Sequence, residues 1–527
     1  MNRLPGIIVL VAVVALVGAA LVGLAEAGGS GGSFGRTAYV ARLVWMGFVQ
    51  AGLSALLSVV LGAAIALALA RRPAFFGRGV LVTALNVATV LPAIVTVFAV
   101  VAVFGRSGWI GDLFRALGLG YGSWIYGLQG ILVAHVFFNA PLAARVFLAA
   151  LSAISPEQWR IAAQLGMPPG AVFRLIDWPV LRREAPGIAA LIFLACFTSL
   201  AVVLALGGGP GNATLEVAIF EALRFEADFR GAAVLALLQL GICAVIVAPL
   251  VFFLGRRPPE AMSTGVFAER PDRASRATRW IDRVVLSVSA ALVGAPLAAV
   301  AVAGIASLGA LRDPAVPRAL VASLAIGLPA GLLSALLALA LATLGRSLRA
   351  KAGRRLADGI GLVAILMLVV SPLALSAGLF VVLRPLVDPF SVALPLIVLV
   401  NALVALPFTY RQIEPPLLVA GERYGNLADS LRLRGLARLR IVDWPLLRGP
   451  LIVAIAMATA LSLGDLGVAA FFGGSRFATL PVLLYERLGA YRLDDAAAVA
   501  LLLTLLTLVL FVIAQRWSNG GWIARPR

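Results

Sequence analysis

The sequence predicts an all-α polytopic membrane protein of about twelve transmembrane helices, arranged as two fused six-helix repeats. Three observations carry that prediction. The 527 residues are 62% hydrophobic and only 13% charged, with a mean hydropathy of +1.03, whereas a soluble domain is roughly 45–50% apolar and about 25% charged. The apolar runs are long and continuous, which fits membrane-crossing helices and not the short alternating strands of a barrel. Finally, one charged nonapeptide occurs twice, as RLIDWPVLR at Arg174–Arg182 and RIVDWPLLR at Arg440–Arg448.

The spans are expected, in order, at 5–25, 43–70, 80–104, 125–149, 187–207, 231–254, 284–309, 319–344, 359–383, 391–412, 450–473 and 495–515. The first follows Arg3 and ends in Ala25-Glu26-Ala27, which resembles a signal-peptide cleavage site. Its apolar run is about 20 residues against the roughly 7–15 of a signal peptide, so a retained anchor is expected. With the N-terminus on the cytoplasmic side, 31 of the 43 Lys and Arg residues fall in cytoplasmic segments. The positive-inside rule then places both termini in the cytoplasm.

The polar, basic stretch 255–282 reads as a cytoplasmic linker between a first half, 1–254, and a second half, 283–527. The halves align. At an offset of 266, Pro141 matches Pro407, Arg145 matches Arg411, and Asp177-Trp178-Pro179 matches Asp443-Trp444-Pro445. At an offset of 265, ATLEVAIFEAL from Ala213 matches ATLPVLLYERL from Ala478. Six spans per half is an even number, so the repeats are expected to be parallel, with a solute pathway where they meet.

Several function classes are excluded. The net charge of +19 comes from 42 Arg and one Lys set mostly in short loops between apolar runs, so nucleic-acid binding is not the reading. Cys196, Cys243 and the lone His135 lie in apolar runs without metal-ligand spacing, and no catalytic constellation is visible. A P-loop needs GxxxxGK[ST], and Lys351 sits in RAKAGR. The chain is therefore expected to be a transport subunit, with any ATP hydrolysed by a partner.

In each half the longest cytoplasmic loop lies between the fourth and fifth spans. In the first, Ser155 is a good N-cap, Pro156 suits the first helical position, Glu157 favours the positive helix end, and Gln158 completes a capping box. The helix should stop at Gly166, ahead of Pro168-Pro169. Ala162 and Ala163 would let another protein approach closely, with Arg174, Asp177 and Trp178 as a rim. A lipid-facing connector with interfacial tryptophans is the other reading. Keeping Asp-Trp-Pro in register in both halves favours a docking element.

The run Glu157, Ala162, Ala163, Gly166, nine residues, Ile176, one residue, Trp178-Pro179 resembles the EAA coupling loop of ABC-importer permeases. The second copy departs from it, with Arg423 for Glu157, Asp429 for Ala163 and Arg432 for Gly166. Ala428, Arg440, Val442, Asp443, Trp444 and Pro445 keep the register. VFGRSGWI, YGLQGILVAHVFFNAPLAARVFL, ALGGGPGNATLEVAIFEALRFE and SLGDLGVAAFFG closely resemble permeases of thiamine ABC importers, through most of both halves. That resemblance implies a type I importer fold in a bacterial inner membrane, thiamine and its phosphates as solutes, and a periplasmic binding protein. It also implies two copies of a cytoplasmic ATPase, which alone would use ATP and Mg; this chain would bind no cofactor and no metal. Ferric iron, sulfate or polyamine permeases of the same class are the alternative, and a twelve-span secondary transporter is a more distant one.

Polar residues at membrane depth are candidates for the pathway. Asp465, in LSLGDLGVAAFF, could favour a cation such as the thiazolium, or else pair with an Arg or cap a broken helix. Asn86, Thr89, Thr96, Asn139, Thr198 and Ser199 are further candidates, each equally able to form an interhelical hydrogen bond. His135 reads as a packed core residue. GGGPGNATLE and GGSRFATLP fall on the outer side, as gate elements or ordinary turns.

Overall fold

The computed structural model describes residues 4–29, 37–254, 270–351, 354–367, 369–433, 435–473 and 477–519. Among them every regular element is helical. The chain runs through α1 (Leu4–Gly29), α2 (Thr37–Arg71), α3 (Arg78–Ala88), α4 (Ala93–Phe104), α5 (Trp109–Ala116), α6 (Leu128–Ser152), α7 (Pro156–Gln164) and α8 (Pro169–Val172). It continues through α9 (Trp178–Phe197), α10 (Ala201–Leu206), α11 (Leu215–Arg224), α12 (Phe229–Leu254), α13 (Arg276–Ala306), α14 (Ala315–Lys351), α15 (Arg354–Leu366) and α16 (Pro372–Leu383). The last elements are α17 (Ala393–Ser430), α18 (Gly435–Arg438), α19 (Trp444–Leu463), α20 (Gly467–Gly473), α21 (Leu480–Gly489) and α22 (Leu493–Asn519). Ten helical segments among the described residues are long and apolar enough to cross a membrane. The chain is a multi-pass membrane protein.

The difference from twelve spans lies in helices that are interrupted. The expected span 80–104 is α3 and α4, separated by a turn at Thr89–Leu91 with Pro92 leading into α4. The span 359–383 is α15 and α16, with Pro372 opening α16 and Ser371 capping it at Ala374 N–H. Proline has no N–H to donate and its ring disfavours helix in the residue before it, so a helix restarts at each one. The spans 187–207 and 450–473 break at 198–200 and at 464–466, the same register at an offset of 266. Most of the expected linker, 255–269, lies outside the described residues, as do Gly474, Ser475 and Arg476 of the GGSRFATLP segment.

The helices gather into two compact units, each drawing on both sequence halves. Unit 1 comprises Met1–Gly35, Glu216–Ala244 and Gly309–Arg527; unit 2 comprises Arg36–Leu215 and Val245–Leu308. In unit 2, α2 packs along α6, and Gly62 makes this possible: a Cβ there would lie 2.5 Å from that of Ala143. In unit 1, α14 packs along α17 and α19, and a Cβ on Gly331 would strike the Thr459 hydroxyl at 2.2 Å. Also in unit 1, α1 lies on α16, where a Cβ on Gly378 would come within 2.4 Å of the Ala20 carbonyl. Small residues let membrane helices approach closely where no hydrophobic effect drives them together.

Candidate functional site

The first loop forms as its caps dictate. Ser155 is extended and its hydroxyl accepts from the Gln158 N–H at 3.4 Å, with Pro156 opening α7. The helix closes in a Schellman pair: Met167 N–H donates to Ala162 O and Gly166 N–H to Ala163 O, both at 3.1 Å. Gly166 has φ +58°, in the left-handed region that suits a residue without Cβ. A π-helical turn at Phe173–Asp177 then delivers Trp178-Pro179 into α9.

The second loop ends its helix identically, with Leu433 N–H on Ala428 O at 2.8 Å and Arg432 N–H on Asp429 O at 3.1 Å. Arg432 holds the left-handed turn at φ +52° where the first loop has glycine. A second π-helical turn, Leu439–Asp443, leads into α19. The beginnings differ. Gly421-Glu422 occupies the register of Ser155-Pro156. There α17 runs unbroken for 38 residues from the membrane span through the second loop's helix, with Pro407, Pro415 and Pro416 inside it.

The structure sorts the expected docking residues. Glu157, Ala163, Gly166, Arg174 and Trp178 are exposed, as are Arg423, Asp429, Arg440, Trp444 and Pro445; Ile176, Pro179 and Val442 are half-buried. Hydrogen bonds from its own backbone and from Ser155 hold the Glu157 carboxyl below its usual range. Ala162 and Ala428 are buried, so of the Ala162-Ala163 pair only Ala163 offers a close approach. Asp177 and Asp443 are not on a rim either: both are buried and ion-paired. Asp443 receives both guanidinium nitrogens of Arg346 from α14, at 2.7 and 2.9 Å. A Cβ on Gly421 would lie only 3.2 Å from Cδ of that arginine.

Asp177 is reached less directly. Arg270 donates to it at 2.7 Å and to both oxygens of Asp272 at 3.1 Å, while its guanidinium lies 4.3 Å over the buried ring of Trp159 on α7. Asp272 in turn accepts from Arg71 at the end of α2, at 2.8 Å. Burial pushes the Asp177 carboxyl up although Arg270 pulls it down. For Asp272 burial also pushes up, but Arg270 and Arg71 together hold it below its usual range.

Two more pairs of residues, one on each loop, are exposed and apolar and were missed by the sequence reading. Ile161 on α7 and Leu165 at its C-cap are 55% and 72% exposed, and Leu427 on α17 and Leu431 at its C-cap are 58% and 61% exposed. The two pairs stand at an offset of 266 and an i, i+4 spacing. Apolar residues repeated in register on otherwise polar helices were the available signal. With Glu157 or Arg423 beside them, they form an apolar knob with a charged edge on each loop.

The pathway candidates cluster at the helix breaks. Thr89 donates to Asn86 O at 2.7 Å at the end of α3, and Thr96 lies buried one turn into α4. Thr198 donates to Leu194 O at 2.9 Å, and Ser199 contacts His135 Nε2 at 3.1 Å. His135 also meets Ser54 at 3.0 Å, which makes it a satisfied core residue. Asn139 donates to Cys196 Sγ at 3.3 Å. Asn401 stands in the register of His135 and donates to Ser462 at 2.8 Å. Asp465 sits in the 464–466 break and accepts from Val468 and Ala469 N–H at 3.3 and 3.1 Å, so it caps α20. Interrupted backbone at membrane depth persists only where protein buries it or it lines a wet cavity. At these breaks the polar side chains named here are hydrogen-bonded to one another or to nearby backbone.

No family model matches the chain. It is 41% identical over 507 residues to the thiamine transport system permease protein ThiP of Brucella melitensis biotype 1, covering 95% of this chain and 92% of that one. It is 39% identical over 488 residues to ThiP of Salmonella typhimurium, covering 91% and 90%, and 35% over 490 residues to that of Haemophilus influenzae, covering 92% and 90%. A ferric transport system permease protein of H. influenzae, FbpB 1, matches at 25% over 224 residues, 42% of this chain.

Proposed function

The chain belongs to the family of thiamine transport system permease proteins, and from that premise we propose that it carries thiamine and its phosphates inward across a bacterial inner membrane. It is the membrane-spanning permease subunit of an ABC transporter. The observation that carries the mechanism is the pair of docking loops, 266 residues apart, each ending in the same Schellman turn and the same π-helical lead into a span.

In this reading each loop receives one copy of a cytoplasmic ATPase. Ile161 and Leu165 would seat in one copy, Leu427 and Leu431 in the other, with ATP and Mg held by those partners. Closure of the ATPases would draw the loops together. Asp177 and Asp443 would pass that motion to α2 and α14 through Arg270 and Arg346. A periplasmic binding protein would deliver the solute on the opposite face, and the arginine asymmetry supports cytoplasmic termini. The solute would pass the polar atoms at the helix breaks, including Thr198, Ser199 and Asp465.

The experiment is uptake of labelled thiamine in a strain lacking its own thiamine transport, with the chain expressed alongside its ATPase and binding protein. Uptake that depends on all three is expected. Rescue of iron or sulfate uptake in place of thiamine would overturn the substrate. Transport by the purified chain alone on an ion gradient would overturn the class.

A further inference from the structure

Unit 2 contains a cavity of about 470 Å³ lined by Arg72, Arg270, Arg273, Ala274 and Arg279. It lies where two spans end: α2 finishes at Arg71, and α13 begins at Arg276 just after a 3₁₀ turn at Pro271–Ala274. Among the described residues its charges do not balance. Arg72 pairs with Asp282 at 2.9 Å, and Arg270 pairs with Asp177 and Asp272. Arg273 and Arg279 have no carboxylate partner among the described residues. Arg72 Nη2 is buried and meets no acceptor among the described residues.

The start of α13 adds positive potential. A helix N-terminus favours anions, yet the first turn of α13 holds no acid and begins with Arg276, and the Ser275 side chain does not cap it. An anion would satisfy the guanidinium groups and the helix end together. The same helix shows which anion is at hand. Trp280, Ile281 and Val284 follow directly and are exposed, with Arg283 over the Trp280 ring at 5.6 Å. An exposed tryptophan at the end of a span marks the depth of the lipid headgroups.

We propose that this cavity is a phosphate site, occupied by the headgroup of an anionic phospholipid from the leaflet on the docking-loop side. Guanidinium forks match paired phosphate oxygens, and basic pockets between spans suit such headgroups. Because Arg270 lines the cavity and also grips Asp177 and Trp159, an occupied site would steady the first docking loop.

The test uses the full chain with its ATPase in nanodiscs of phosphatidylcholine, with or without phosphatidylglycerol. Retained lipid is read by native mass spectrometry and unfolding temperature by calorimetry. Phosphatidylglycerol should be retained and raise the unfolding temperature. Arg273→Gln with Arg279→Gln should weaken retention roughly thirty-fold and abolish the rise, while the two Lys replacements should keep most of both. Unchanged retention in the Gln variant would overturn the site. A rise with inorganic phosphate but not with phosphatidylglycerol would overturn the lipid source. Normal retention with lost ATPase capture would make the patch a protein contact instead.

Discussion

Arg432 is the residue that most plainly carries a local conflict. It adopts the left-handed turn that Gly166 makes freely in the other loop. A side chain there costs about 1–2 kcal/mol, and glycine gives back roughly 0.5–1 through its freedom in the unfolded chain. Arg432→Gly should therefore raise stability by about 0.5–1 kcal/mol in detergent-based thermal unfolding, and Arg432→Ala should not. The buried aspartates make a second case. Arg346→Ala strands Asp443 away from water, and breaking such a pair costs about 3–5 kcal/mol. The double variant with Asp443→Leu should recover most of that loss in the same measurement. Asp465 is separable by a third comparison. Asn keeps an oxygen for the α20 cap and Ala does not, so a role limited to capping predicts normal thiamine uptake for Asp465→Asn. Slow uptake with unchanged stability would instead give its charge a part in transport.

At the scale of elements, the helices of the two repeated loops end alike and begin differently. Ser155-Pro156 frees α7 from α6, whereas Gly421-Glu422 lets α17 run on. The first helix is separate from its span and held by Arg270 at Trp159 and Asp177; the second is continuous with its span. Ile161→Ser with Leu165→Ser removes an apolar contact from the first, and Leu427→Ser with Leu431→Ser does so from the second. Each buried aliphatic side chain contributes about 1.5–3 kcal/mol, so each double change should weaken ATPase capture at least tenfold in a pull-down titration. Capture unchanged by both would remove these residues from the docking surface. The cap, the stop at Gly166 and the register of both loops were legible in the sequence, because each depends on neighbours within a few residues. The fate of Asp177 and Asp443 was not, since their partners Arg270 and Arg346 stand 93 and 97 residues away.

At the scale of the molecule, each compact unit draws helices from both sequence halves. α1 packs on α14 and α16 in unit 1, and α13 packs on α2 and α4 in unit 2. Neither half therefore holds all the helices of one unit. Expressed separately, pieces ending and starting within 255–269 should each be unstable, and co-expressed they should copurify and restore uptake. A stable, monodisperse half on its own would contradict this exchange of helices.

Local physics was enough for much of this. Length and hydropathy of the apolar runs determined a helical multi-pass chain, because lipid leaves backbone groups no other partner. Ser155, Pro156 and Gly166 determined where one loop helix starts and stops, and the repeated Asp-Trp-Pro determined the register between halves. Tertiary structure alone decided which polar residues face a partner and which are buried. It turned Asp177 and Asp443 inward, exposed Ile161 and Leu427, divided four expected spans, two of them in the same register, and shared α1 and α13 across the halves. Those outcomes rest on ion pairs and close helix contacts between residues far apart in the chain, such as Gly378 against Ala20 and Arg71 against Asp272. A sequence pattern records what a residue prefers among its neighbours, and packing settles which distant group it meets.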